Sequence, residues 1–267
     1  VFEDMREVFG GFVMYSFKEI EEYLDTIAPT ISAEPWDNVG LMVGTREDPI
    51  SKVMLALDVT PDVIDQCIEN DARFLITHHP IFFEPCLKID YSESQGAMIK
   101  RIIENNITVY AMHTNLDKAE GGVNDALAKA IGFGACIRLD YLRVGRLLSR
   151  MPFLDLADRV DKMLDSNGII LSSKKNNLVQ TVALACGSFE SSVIPEMVER
   201  ECDVLITGEI KHHILVDLEA RGIRVIVAGH EATERVVLPM LKEKLTHAFS
   251  ELNVCIATNF IASDSEQ

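Results

Sequence analysis

Six of the chain's seven histidines fall in four short clusters: His78-His79, His113, His212-His213 and His230. Asp117 stands four residues after His113, and Glu234 four residues after His230. Imidazoles and carboxylates make a nitrogen and oxygen donor set, which suits Zn, Fe, Mn, Co or Ni rather than Cu(I) or an iron–sulfur cluster, both of which prefer sulfur. The set also holds more ligands than a single four-coordinate ion with an open position needs. A pair of ions roughly 3.5–4 Å apart, joined by a carboxylate and a water, would use them better, and either Asp117 or Glu234 can be the bridge. His212-His213 is open to three readings: ligands, a pocket wall or an ordinary helix face. His247 reads as a solvated helix residue. The six cysteines, Cys67, Cys86, Cys136, Cys186, Cys202 and Cys255, are scattered singly with no CxxC pair. That is the pattern of buried thiols in a reducing compartment, not of a disulfide frame.

These clusters must be held by the elements that precede them. Val53 to Leu57 reads as a buried strand, Pro61 to Asn70 as a helix and Arg73 to Thr77 as a second strand. The order recurs at Val182 to Cys186, Val193 to Arg200 and Asp203 to Thr207, with Leu75-Ile-Thr77 repeated as Leu205-Ile-Thr207. Each half continues through a helical stretch, 95–105 or 211–221, into a third strand, Ile107 to Met112 or Ile223 to Ala228. The pattern predicts a duplicated α/β chain whose sheets are mixed and mostly parallel, because parallel strands need helical crossovers. The expected lobes are 16–134 and 135–267, with residues 1–15 an N-terminal extension. Every histidine cluster falls at or just beyond the carboxyl end of a strand, where open α/β sheets gather their ligands. If a helix spans Glu231 to Leu241, His230 and Glu234 point from one face of its first turn.

Lys and Arg number 25 against 42 Asp and Glu, a formal net charge of −17. A binder of nucleic-acid backbone needs a basic footprint, so the balance argues against nucleic acid as partner. No apolar run approaches the roughly 20 residues of a membrane-spanning helix. The acidic N-terminal residues Glu3, Asp4 and Glu7 do not suit a secretory signal, and the expected location is the cytoplasm.

At the histidine clusters the chain resembles the YbgI-like dinuclear-metal family, whose members are often named GTP cyclohydrolase 1 type 2 homologues. The motifs are Glu34-Pro-Trp-Asp-Asn-Val-Gly-Leu-Met-Val-Gly44, Leu57-Asp-Val-Thr60, Ile76-Thr-His-His-Pro-Ile-Phe-Phe83, His113-Thr-Asn-Leu-Asp117 with Gly121-Gly-Val-Asn124, Thr207-Gly-Glu-Ile-Lys-His-His213 and Gly229-His-Glu-Ala-Thr-Glu234. The resemblance implies two intertwined α/β lobes with a metal site in the cleft, in the short form that lacks an inserted domain, and a toroidal homohexamer. It implies two divalent ions per chain on His78, His79, Asp117, His230 and Glu234, with His113 in or next to their ligand shell. It further implies a metal-dependent hydrolase acting on a small anionic substrate, with purine ring opening suggested by analogy and phosphoester cleavage equally suited. Glu209, His212 and His213 would then be proton carriers or substrate contacts. The competing reading is a non-catalytic metal-binding or regulatory protein that acts through an oligomeric partner surface. The chain departs from the family's pattern at Cys186-Gly187-Ser188, where Gly-Gly-Ser is frequent.

Overall fold

The computed structural model describes residues 8–9, 12–166 and 168–258. Most of the expected N-terminal extension, residues 1–7, 10 and 11, lies outside them, as do residues 259–267 of the expected second lobe. The chain divides into two compact units, 1–116 with 238–267, and 117–237. The first unit is therefore completed by the C-terminal segment, which is the intertwining that the resemblance implied.

In the first unit a small hairpin, β1 (Val8–Phe9) and β2 (Phe12–Val13), precedes helix α1 (Phe17–Ile27). Ser16 caps α1 through a reciprocal bond with Glu19, satisfying two end donors at once. There follow β3 (Gly40–Val43), β4 (Lys52–Ala56), α2 (Pro61–Glu69), β5 (Phe74–Thr77), α3 (Ser94–Glu104) and β6 (Thr108–Ala111). Helix α4 (Thr114–Lys118) carries the chain into the second unit.

That unit contains α5 (Val123–Ala130), β7 (Cys136–Leu139), β8 (Leu142–Pro152), α6 (Phe153–Leu164), β9 (Ile170–Leu171) and β10 (Leu178–Ser188). It continues with α7 (Ile194–Glu199), β11 (Val204–Glu209), α8 (His212–Ala220), β12 (Arg224–Val227) and α9 (His230–Glu234). Helix α10 (Val237–Ala248) and β13 (Asn253–Ile256) then return to the first unit.

The first sheet runs β13-β4-β5-β6-β3, parallel except for its β3 edge. The second runs β7-β8-β10-β11-β12-β9; its parallel centre, β10-β11-β12, is flanked by antiparallel strands. Side chains alternate across a strand, and here both faces of the parallel strands are covered, so their runs are apolar throughout. In the second unit Val182, Leu184, Val204 and Ile206 enter one core with α6, while Ala183, Ala185 and Leu205 enter another with Met197 and Leu218. In the first, Met54, Ala56 and Leu75 pack with Val63, Ile64 and Ile102. On that sheet's other face Phe74 and Tyr110 meet Phe17 of α1, ring centroids 5.5 and 6.1 Å away.

The helix expected over Glu231 to Leu241 is interrupted after Glu234 and restarts at Val237. At the break Arg235 turns its guanidinium onto the carbonyls of Leu164 and Asp165, where α6 ends. Those carbonyls have no partner within the helix, so an arginine there satisfies them. Among the described residues no helix is long and apolar enough to cross a membrane.

Candidate metal centre

His78 and His79 directly follow β5, and His113 stands between β6 and α4. The three offer ligand atoms within 4.8 Å of one another, a group that could hold a metal ion. Their rings are separated by 4.9, 5.2 and 5.5 Å between centroids.

The outer side of each ring is already committed. His78 Nδ1 lies 2.8 Å from the Met112 carbonyl oxygen, His79 Nδ1 2.8 Å from Asp58 Oδ1, and His113 Nδ1 2.8 Å from Asp37 Oδ1. A carbonyl or carboxylate oxygen can only accept, so each Nδ1 carries the proton and donates it. In a neutral ring protonated there, Nε2 is the nitrogen offered to a metal. Asp37 is tied further by Thr114, whose backbone N–H and hydroxyl both donate to its Oδ2. Burial by itself would raise the Asp37 carboxyl, but the hydrogen bonds from His113 and Thr114 outweigh it and lower it to about 2. It therefore stays ionised beneath His113.

The second unit contributes its own donors. His230 and Glu234 occupy the first and last positions of α9, and His230 Nε2 lies 3.1 Å from Glu234 Oε1. Two ligands bonded to one ion at about 2.1 Å and roughly right angles sit about 3 Å apart, so this pair is spaced for a shared ion. His230 Nδ1 faces Glu209 Oε1 at 3.4 Å. Glu234 is buried, as is Asp117.

The end of β10 shapes this half. Gly187 has φ of +57°, and a Cβ there would fall 2.2 Å from Glu234 Oε1. Its N–H donates to Thr233 Oγ1. Cys186 stands beside Asp117, Sγ to Oδ1 3.3 Å. Burial first, and then the carboxylates of Asp117 and Glu234, push its thiol well above the ordinary value. Cys186 is thus a neutral neighbour of the two buried carboxylates, not a thiolate. Fully buried Asn124 accepts from the Cys186 N–H and donates to the Asp117 carbonyl, locking α4 to β10.

The structure brings His78, His79 and His113 together in one unit, and His230, Glu234 and Glu209 in the other. His212 and His213 open α8 with exposed side chains, and His247 is exposed on α10. Asp37, Asp58 and Asn124 lie within the motifs at 34–44, 57–60 and 121–124, where residue type alone assigns them no role. The signal for Asp58 was its position just past β4, beside the strand end that carries His79.

A profile of the Duf34/NIF3 (NGG1p interacting factor 3) family matches residues 15–266. The chain is 34% identical over 247 residues to a GTP cyclohydrolase 1 type 2 homolog of Clostridium acetobutylicum, covering 89% of this chain and 92% of that one. It is 31% identical over 240 residues to GTP cyclohydrolase 1 type 2 of Helicobacter pylori, covering 88% and 93%. Among solved structures it is similar to reduced HcgD from Methanocaldococcus jannaschii, with a TM-score of 0.78, 29% identity, and coverage of 92% and 98%. The fold also matches ybgI, with a TM-score of 0.81, 24% identity, and coverage of 91% and 98%.

Proposed function

This chain belongs to the Duf34/NIF3 family, and on that premise we propose that it binds two divalent metal ions and uses them in hydrolysis of a small anionic substrate. The observation that carries the reading is the shared bonding of His78, His79 and His113. Each is held at Nδ1 by an acceptor, which orients the ring to offer Nε2 to a metal. Asp117, His230 and Glu234 are the metal-binding side chains that the second unit supplies. Divalent ions held by these residues would supply Lewis acidity and lower the pKa of a bound water toward neutrality.

The chain's own residues do the rest. Asp37, Asp58 and the Met112 carbonyl orient the imidazoles. Glu209, more than half exposed, faces His230 Nδ1 at 3.4 Å and can exchange protons with solvent. His212 and His213, exposed at the start of α8, are available as proton carriers or contacts to an anion. The name of the Helicobacter pylori relative suggests water-driven opening of a purine nucleotide ring; a phosphoester suits the same donors. Assembly as a homohexamer belongs to the same proposal and is read by light scattering.

The test is metal analysis of untagged protein, followed by turnover on GTP and a phosphoester panel. Two ions per chain are expected, and fewer than about 1.5 after reconstitution would count against a pair. Turnover should vanish in Asp117→Ala and Glu234→Ala. The family's description as an interacting factor favours one other reading, a metal-containing protein that acts through a partner. Metal-replete protein that hydrolyses nothing, yet retains its metal and a specific partner, would establish that reading instead.

A further inference from the structure

Trp36 is 65% exposed and Phe83 56% exposed, although each would gain from burial. Single exposed apolar side chains are common and need no explanation. These two come from separate loops and converge on the same imidazole. The Trp36 ring centroid lies 6.2 Å from that of His113; Phe83 lies 5.6 Å from His113 and 6.3 Å from His79.

The loops that present them are fixed. Asp37 N–H donates to the Glu34 carbonyl at 2.9 Å, closing a turn around Trp36. Glu34 N–H donates to Thr114 Oγ1 at 2.9 Å, and the Asp37 carboxylate accepts from Thr114 N–H at 3.0 Å. Asn38 Nδ2 donates across to the Phe82 carbonyl at 2.9 Å, joining the two aromatic-bearing loops directly. Gln95 Nε2 holds the second loop again at the Ile81 carbonyl. Two exposed rings on mutually tied backbones are preorganised, so their immobilisation entropy is already spent before a ligand arrives.

The geometry points to Trp36 and Phe83 as a stacking rim for a flat heteroaromatic ring, one that carries an oxygen or phosphate able to reach the metal ligands beside it. The inference rests on the metal reading above and names the substrate class. Aromatic faces bind any flat ring without reading its edge, whereas a purely aliphatic or sugar substrate would make no use of them. A ligand with both features explains why π surface is kept exposed next to three imidazoles.

Trp36 is the chain's only tryptophan, so its emission reports this site alone. Metal-loaded full-length protein is titrated with guanosine 5′-monophosphate and with ribose 5-phosphate, which carries the phosphate without the ring. The expected result is saturable quenching by the nucleotide, with ribose 5-phosphate bound on the order of ten-fold more weakly or worse. Phe83→Leu should weaken the nucleotide by on the order of ten-fold and leave ribose 5-phosphate unchanged. By calorimetry, Trp36→Phe should retain binding that Trp36→Leu loses.

Metal content measured on the same samples separates the two proposals. Ring-dependent quenching in protein that takes up no metal would sink the metal reading and leave the rim standing. Full metal content with equal affinity for both ligands, or an unchanged Phe83→Leu, overturns the rim. Trp36 emission that is blue-shifted and shielded from acrylamide until the protein is diluted to monomers also overturns it, because the two rings would then be a contact between copies of the chain.

Discussion

Gly187→Ala separates the cost of a strained backbone from the cost of a displaced ligand. The residue has φ of +57°, and the added Cβ would lie 2.2 Å from Glu234 Oε1 and 3.3 Å from His230 Nε2. Ordinary contact begins at 3.4 Å, so the carboxylate oxygen must move by 3.4 − 2.2 = 1.2 Å. Metal–ligand distances tolerate only about 0.2 Å. Glu234 is 3% exposed, so it has no free path to solvent by which to relieve the contact. We expect metal affinity to fall 10- to 100-fold, about 1.4–2.7 kcal/mol, the scale set by misoriented ligands. An alanine at left-handed φ costs a further ~1–2 kcal/mol of stability. Gly222→Ala is the control, since Gly222 has φ of +83° with nothing within 4 Å of the built Cβ. It should show the backbone cost without the metal defect. Urea unfolding of the apo variants reads the first quantity and calorimetric metal titration the second. Equal metal affinity in Gly187→Ala and Gly222→Ala would refute the reasoning. So would failure of Glu234→Ala to relieve the apo-state cost of Gly187→Ala in a double-mutant cycle.

Further outcomes follow from individual contacts. Asp58→Ala removes the acceptor of His79 Nδ1 and should lower metal affinity 10- to 100-fold; Asp58 is half exposed, so apo stability should shift by no more than about 0.5 kcal/mol. Asn124→Ala leaves the Cys186 N–H without its acceptor and should cost about 1–3 kcal/mol in urea unfolding. Arg143, fully buried, donates to Asp125 and to the carbonyls of Ala119, Leu139 and Asp140. Arg143→Met should therefore cost about 3–5 kcal/mol, the scale of a broken buried pair. Metal at 100 times its Kd should stabilise the native protein by about 2.7 kcal/mol, and a chelator should abolish that gain in thermal unfolding.

The parts of the fold that were legible in the sequence are those with short-range causes. Apolar runs covered on both faces marked β4, β5, β10 and β11. Histidines at strand ends marked the metal-binding candidates. Strand β8 has no local apolar run to mark it, since arginines interrupt its span, and Arg143 is buried by a partner, Asp125, that lies 18 residues away. The short edge strands β3, β9 and β13 are defined by pairing with distant segments, which no local pattern reveals. Asp37 escaped for the same reason. Its role depends on meeting His113 across 76 residues of chain, a long-range contact that spacing cannot report.

Strand register changes how the duplication should be understood. Ala56 pairs with Thr77 in the first unit as Ala185 pairs with Thr207 in the second. Thr77 pairs with Ala111 as Thr207 pairs with Val227. Counting onward from these anchors, His78 corresponds to Gly208, His79 to Glu209, and Thr114 to His230. His113 and His230 are therefore not equivalents, despite the shared carboxylate four residues on; they are offset by one position, about 100° around a helix. The halves are not two copies of one site. The first unit places imidazoles past its second strand, where the second unit places glycine and a carboxylate. The glycines have a steric reason: a Cβ at Gly208 would fall 2.6 Å from the Gly187 carbonyl oxygen and 2.8 Å from His230 Cα. Both obstacles are backbone, which cannot swing aside as a side chain can. Gly208→Ala should thus damage the second unit more than Gly187→Ala does, losing stability as well as metal. Gly208→His, the change that would mimic His78, should fail to add a ligand because it displaces the helix that carries His230 and Glu234. A Gly208→His protein that folds with native stability and binds metal more tightly would show that the two halves are interchangeable, contrary to the register.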